Sequence, residues 1–335
     1  MAPRKLRMPP ARILIPVVVV AALVLIIVII AAVGNLVTRG FYILTAEPPG
    51  VGTTIIAPSQ SKAGAAMKDL TGDEKDATAY LAEQPTAYWL TPEQDPIGTA
   101  ADTVTSLITQ ARDSDRSLAI VIYGLPGRDC GNFSAGGLSE ADYPVWLAEI
   151  GGALGTAPDL QKIVVLEPDS IALSPECGNI SDRSRQLGLA LDALTALNTW
   201  VYLDGGHSNW LGAEQMAGLL TQTGLIDRVR GFATNVSNYQ GSADEFAYAA
   251  DLSARLDGAH AIVDTSRNGS ATSGGEWCNP PRQTVGEPGG TYGDSVVDTN
   301  LWIKPPGESD GDCNGGPAAG VWWPQAAVDL TREAR

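Results

Sequence analysis

A chain of 335 residues that is 44% hydrophobic can bury a sizeable core. Its 38 acidic against 22 basic residues leave a formal charge of −16, which excludes nucleic acid as a partner because phosphate binding needs a basic footprint. Four cysteines, an even number, are compatible with two disulfides in an oxidising compartment, while two histidines without His-rich spacing exclude a transition-metal site and give no reason to expect a metal or cofactor.

The chain opens on Arg4, Lys5, Arg7 and Arg12, followed by an apolar run over residues 13–33. As a helix rising about 1.5 Å per residue, such a run crosses a bilayer core of roughly 30 Å. The upstream positive charges place residues 1–12 in the cytoplasm, so 13–33 reads as a single-pass membrane anchor with the remaining chain outside the cell. A cleaved signal peptide and a secreted protein form the rival reading, but such apolar regions usually run about 7 to 15 residues. Residues 34–84 shift to Pro, Gly, Ser, Ala and Thr, interrupted by Phe41, Tyr42 and Ile43. They read as linker and lead-in, with one helix expected over 62–82 from its Ala, Lys, Glu and Leu content.

Residues 85–335 then alternate. Strand-like runs occur at 87–90, 118–123, 162–167, 199–203, 231–235, 261–264 and 300–304. Helical stretches at 99–112, 141–154, 181–198, 213–223 and 242–256 separate most of them. Strand and helix in turn mean βαβ units and a parallel sheet of the α/β class. Seven such units over about 250 residues fit a β/α barrel better than a small open sheet.

The stretch from Lys162 to Ser170 organises this domain. Four apolar residues, Ile163 to Leu166, run into Glu167, Pro168 and Asp169, as in a strand buried on both faces. Proline is disfavoured inside a central strand, so the strand ends near Glu167 and delivers Asp169 to its carboxyl end, where α/β folds place ligands. Other runs end similarly. The second leads into a glycine-rich loop, Tyr123 to Gly137, that lets the backbone approach a ligand but lacks the Lys and Ser/Thr of a phosphate cradle.

Asp129, Asp169, Asp204, Asp264 and Asp310 each stand at or just past a different strand end. Such a ring serves either a divalent metal or acid/base work on a glycosidic bond. Trp89, Trp210, Trp277 and Trp302 lie beside these loops and favour the second use, since flat indoles make platforms for sugar rings.

These residues resemble family 6 glycoside hydrolases, the endoglucanases and cellobiohydrolases that cut β-1,4-glucan with inversion. The likeness runs from about Pro85 to Leu330. It is carried most specifically by Val121 to Tyr123 with Pro126 and Arg128 to Gly137, and by Val164 to Ser170, with support from Tyr202 to His207, Asp264 to Gly269, Trp277 to Pro280 and Lys304 to Gly311. The resemblance implies a distorted seven-stranded parallel β/α barrel with a cleft across its top. It implies Asp169 as the general acid, Asp129 as the neighbour that raises the acid's pKa and helps organise water, and Asp310 as the base. Tyr123 would stand near the distorted sugar, and Ser134 in the glycine-rich loop associated with the catalytic water. Asp204, His207, Trp210, Asn235, Arg267, Trp277, Lys304 and Glu308 would line or brace the sugar subsites.

Four cysteines allow three connectivities, and spacing alone does not choose. The resemblance implies Cys130 with Cys177 and Cys278 with Cys313. Gly205 stands where the family often has alanine. The short segment 280–300 lacks the long loops with which cellobiohydrolases roof their cleft, so an open, endo-acting cleft is expected. The implied partner is β-1,4-glucan, polymer or oligosaccharide, bound by a monomer. A cellobiohydrolase and a non-catalytic carbohydrate-binding surface protein are the alternatives.

Overall fold

The computed structural model describes residues 11–132, 134, 136–270 and 275–335. The chain forms two compact units, residues 1–46 and 47–335. In the first, helix α1 spans Ala11–Thr45 and contains a stretch, Leu23–Thr45, long and apolar enough to cross a membrane. The helix therefore continues well past Val33, where composition suggested a linker. Gly34 and Gly40 are isolated among Leu, Val, Phe and Tyr, and a lone glycine weakens a helix by only about 1 kcal/mol.

The second unit holds seven strands: β1 (Tyr88–Leu90), β2 (Leu118–Ile122), β3 (Lys162–Leu166), β4 (Thr199–Asp204), β5 (Gly231–Thr234), β6 (His260–Asp264) and β7 (Val297–Leu301). All pair in parallel in the order β1 to β7. β1 and β7 do not pair as strands; Ala87 N–H donates to Trp302 O at 2.9 Å and Trp89 Nε1 to Ile303 O at 2.8 Å, joining the two edges of a distorted barrel. Strand side chains alternate with period two. Ala119, Val121, Ile163, Val165, Tyr202 and Ile262 belong to the cluster on one face of the sheet, whereas Leu118, Ile120, Val164, Leu166 and Leu203 pack in the larger cluster on the other. The latter includes residues of α4 (Ala100–Ser114), α5 (Tyr143–Leu154), α7 (Ile180–Leu194), α8 (Ala213–Thr223) and α9 (Ser242–Arg255).

Three differences from the sequence reading have physical causes. The 62–82 helix is broken into α2 (Lys62–Ala66), a 3₁₀ turn (Met67–Asp69) and α3 (Gly72–Ala82), because Leu70 and Thr71 are extended and Gly72 has φ +59°. β7 lies three residues earlier than expected: past Leu301, the N–H groups of Ile303 and Lys304 donate to the carboxylate of Asp264 at 3.1 and 2.9 Å. The segment 47–84 is not merely linker, since Ile55 and Ile56 are buried and α3 packs on the C-terminal helix α10 (Pro324–Thr331) around Ala77, Leu81, Trp302 and Ala327. α6 (Ser174–Cys177) completes the helices described.

Candidate active site

Pro168 cannot donate to the ladder, and β3 stops at Leu166. Glu167 and Asp169 then take φ of +48° and +66°. A non-glycine residue in this region costs on the order of 1–3 kcal/mol and persists only where its surroundings hold it. The buried Glu167 carboxylate accepts Gly124 N–H at 3.0 Å to each oxygen and the Tyr143 hydroxyl at 2.8 Å. Asp169 N–H donates to Asp204 Oδ1 at 3.2 Å, and the same oxygen accepts Gly206 N–H at 3.1 Å. Burial pushes both Glu167 and Asp204 up to about 7. Each is a brace behind the cleft wall.

Asp169 faces the cleft. Burial, then the charges of Asp204 and Asp129, push its carboxyl well above the usual range, with Lys304 pulling the other way. Asp129 (φ +52°) accepts the Tyr123 hydroxyl at 2.5 Å through Oδ2, while its buried Oδ1 has no partner among the described residues. Burial raises Asp129 too, against the Tyr123 hydrogen bond and the charges of Arg128 and Arg183. The Arg128 guanidinium lies 4.4 Å from the Tyr123 ring centroid, and Trp89 meets that ring edge-on at 5.2 Å.

The glycine-rich loop is held by its backbone. Arg128 donates through Nε to Ser134 O at 2.8 Å, through Nη1 to Tyr123 O at 2.8 Å, and pairs with Glu93 at 3.0 Å. Gly137, at φ +84°, would place a Cβ 2.0 Å from Leu125 O, so no other residue fits there.

On the opposite side, Asp310 is buried and heavily engaged. Arg267 Nη1 reaches its two oxygens at 2.9 and 3.0 Å, and Oδ2 also accepts the Tyr239 hydroxyl at 2.7 Å and Asn279 N–H at 3.1 Å. Lys304, also buried, sits 3.6 Å from Glu308 Oε2 and 5.1 Å from the Trp89 centroid. His207 is buried, which lowers its pKa to about 4 and keeps it neutral, and its ring tilts toward Trp210 at 5.8 Å.

These side chains surround a cleft of about 730 Å³. Trp89, Tyr123, Asp129, Ser134, Asp169, His207, Trp210, Trp277, Lys304, Glu308 and Asp310 line it. Asp204, Asn235 and Arg267 stand behind the lining: Asn235 donates to Asp264 O at 2.8 Å and accepts Gln240 N–H at 2.9 Å, tying the ends of β5 and β6. Two residues expected in the cleft ring prove structural. Asp264 is buried and accepts the N–H groups of Ser237, Ser266, Ile303 and Lys304. Trp302 is in the core beside α3 and α10, its indole N–H donating to Glu287 O at 3.0 Å.

Both disulfides form as expected, Cys130–Cys177 and Cys278–Cys313. They tie the loops that carry Asp129 and Asp310.

Several participants escaped the sequence reading. Tyr239 and Asn279, which hold Asp310, sit in loops whose polar character was visible, but nothing in spacing pointed them at one carboxylate. Glu93 is one of two acids shortly before a helix, and Lys62 belongs to the lead-in, far in sequence from the strand ends it meets. Glu245, in the first turn of α9, accepts Ser208 N–H at 2.9 Å and so braces the loop of His207; it reads as an ordinary helix-start acid.

Comparison with known proteins agrees with this geometry. Residues 52–334 match the model of "Glycosyl hydrolases family 6". The chain is 41% identical over 271 residues to endoglucanase A of Cellulomonas fimi, covering 81% of this chain and 59% of that protein. It is 36% identical over 315 residues to endoglucanase 1 of Streptomyces halstedii, covering 90% and 91% respectively. The chain thus spans under two thirds of the length of the first relative and nearly all of the second. Among solved structures, the endoglucanase Cel6 of Mycobacterium tuberculosis, in complex with a methyl-cellobiosyl-4-deoxy-4-thio-β-D-cellobioside, superposes with a TM-score of 0.76 at 33% identity, over 85% of this chain and 98% of that one.

Proposed function

This chain belongs to glycosyl hydrolases family 6, and on that premise we propose that it hydrolyses β-1,4-glucosidic bonds within cellulose or a related β-glucan, with inversion of anomeric configuration. The observation that carries the reading is the state of Asp169. A cleft-facing carboxyl whose proton affinity is raised well above the usual carboxyl range by burial and like-charged neighbours is equipped to give a proton to a leaving oxygen. Names of the relatives and the thio-cellobioside in the solved neighbour support glucan as the polymer.

In this mechanism the glucan lies along the cleft, with indoles such as Trp210 and Trp277 offering faces to sugar rings. Asp169 protonates the departing glycosidic oxygen. Asp129, hydrogen-bonded to Tyr123, raises the proton affinity of Asp169 and uses its spare buried oxygen to orient water. Water attacks the opposite face of the ring, and Asp310 takes its proton as the base. The bonds Asp310 already accepts from Arg267, Tyr239 and Asn279 fix the direction of its carboxylate. Inversion requires room between acid and base for that water.

The enzyme works outside the cell as a monomer, and α1 holds it to the membrane as a single-pass anchor. Length, hydropathy and the exposed side chains of residues such as Leu25, Ile30 and Leu36 support the anchor. Both readings are tested by separating native cells into washed membranes and medium and assaying each on carboxymethylcellulose with and without EDTA. The expected result is hydrolysis in the membrane fraction, unchanged by EDTA. Activity only in the medium, with an N-terminus beyond Val33, would contradict the anchor; no hydrolysis anywhere would contradict the enzyme.

A further inference from the structure

Lys62 is the first residue of α2, in the segment that precedes every strand of the barrel, yet its side chain reaches the cleft. Its Nζ donates to Gly320 O at 2.6 Å and lies 3.4 Å from Glu308 Oε2. That same oxygen faces Lys304 Nζ at 3.6 Å, and Lys304 in turn stands over the Trp89 ring. Two ammonium groups therefore share one carboxylate oxygen, one from the barrel and one from outside it. The pair inside the barrel is buried, with 8% side-chain exposure for each of Lys304 and Glu308, whereas Lys62 is 36% exposed.

Among the described residues, Lys62 and Lys304 are the two cations that face the Glu308 carboxylate. The Glu308 backbone is fixed by a bridge to Trp322, whose ring packs against Gly307 so closely that a Cβ there would lie 2.6 Å away. The side chain, by contrast, depends on its two cations. Lys62 also ties the wall at Gly320 to Glu308, since both meet the same ammonium group.

We propose that Lys62 is a positioning residue for the glucan-binding end of the cleft, acting through Glu308 to hold Lys304 and Trp89 in a preorganised arrangement. Without it the Glu308 carboxylate keeps one cation, Lys304, and the ordering lost must be restored each time sugar binds. The effect falls on binding, because Lys62 touches neither Asp169 nor Asp310. The inference rests on the glucanase reading above.

The test compares the full chain with Lys62→Met and Lys62→Arg on cellopentaose, measuring kcat, KM and thermal midpoint. Lys62→Met is expected to raise KM about fivefold with kcat within about twofold, the size of one partly exposed ion pair, while Lys62→Arg, which keeps charge and reach, stays near the parent. A merely structural role would lower the thermal midpoint and leave KM unchanged in the folded fraction. An unchanged KM in Lys62→Met, a loss confined to kcat, or failure of arginine to rescue overturns the inference while the glucanase reading stands. A parent that does not turn over cellopentaose overturns both. Should Lys62→Met melt below the assay temperature, Lys62→Gln, which is polar but uncharged, is read by the same criteria.

Discussion

Replacing Asp169 with alanine is expected to lower kcat on unactivated glucan by about 10²- to 10⁴-fold, the usual contribution of a general acid. The fold should be retained, because the bond that fixes this turn to Asp204 is made by the Asp169 backbone N–H and survives the change. KM should change little. The pH dependence supplies a second signature. As the proposed general acid, Asp169 would act in its protonated form, and its proton affinity is raised, so kcat in the parent should fall as pH climbs through that raised value. In Asp169→Ala this basic limb should be absent. A substrate with a good leaving group needs less proton donation and should recover much of the lost rate. Steady-state kinetics across pH with both substrates checks the set; near-parental turnover of unactivated glucan would remove Asp169 from the role.

Arg267→Met should be the most destabilising single change near the cleft, lowering unfolding free energy by about 3–5 kcal/mol. Arg267 is 1% exposed and its partner Asp310 4% by side chain. The guanidinium also lies 4.2 Å from the Tyr239 centroid and donates to Ser237 O. Methionine fills part of the volume but leaves Asp310 buried with its main counter-charge gone, and the remaining bonds from Tyr239 and Asn279 do not replace a cation whose Nη1 reaches both carboxylate oxygens. The urea midpoint of the variant should drop with its slope unchanged. A loss below about 1 kcal/mol would place this pair among ordinary surface bridges and contradict the weight its burial implies.

What was legible in the sequence follows from how local each cause is. Runs such as Ile163 to Leu166 declare a two-sided buried strand by themselves, and Pro168 marks where the strand must stop, so Asp169 could be set at a strand end. The seven strands pair in the expected order, and the two disulfides are those that the family resemblance implied. Other misreadings arose where a long-range contact decided the outcome. β7 ends early because the Asp264 carboxylate, not a strand, receives the next N–H groups. Asp264 looks like its neighbours in the ring of acids, yet four backbone donors turn it into a brace. Trp302 reads as a platform until helices α3 and α10 are seen to cover it. Lys62 carries no local sign that it meets Glu308, which is 246 positions later in the numbering.

The anomeric form of the first product tests the central claim most directly. Proton NMR of cellohexaose hydrolysis, recorded in the first minutes before mutarotation, should show new α-anomeric reducing ends. In the proposed mechanism, a water between Asp169 and Asp310 would attack the β-linked carbon from the opposite face. New β-anomeric ends appearing first would mean retention, and with it a covalent intermediate that contradicts both Asp169 as the acid and Asp310 as the base of an inverting reaction.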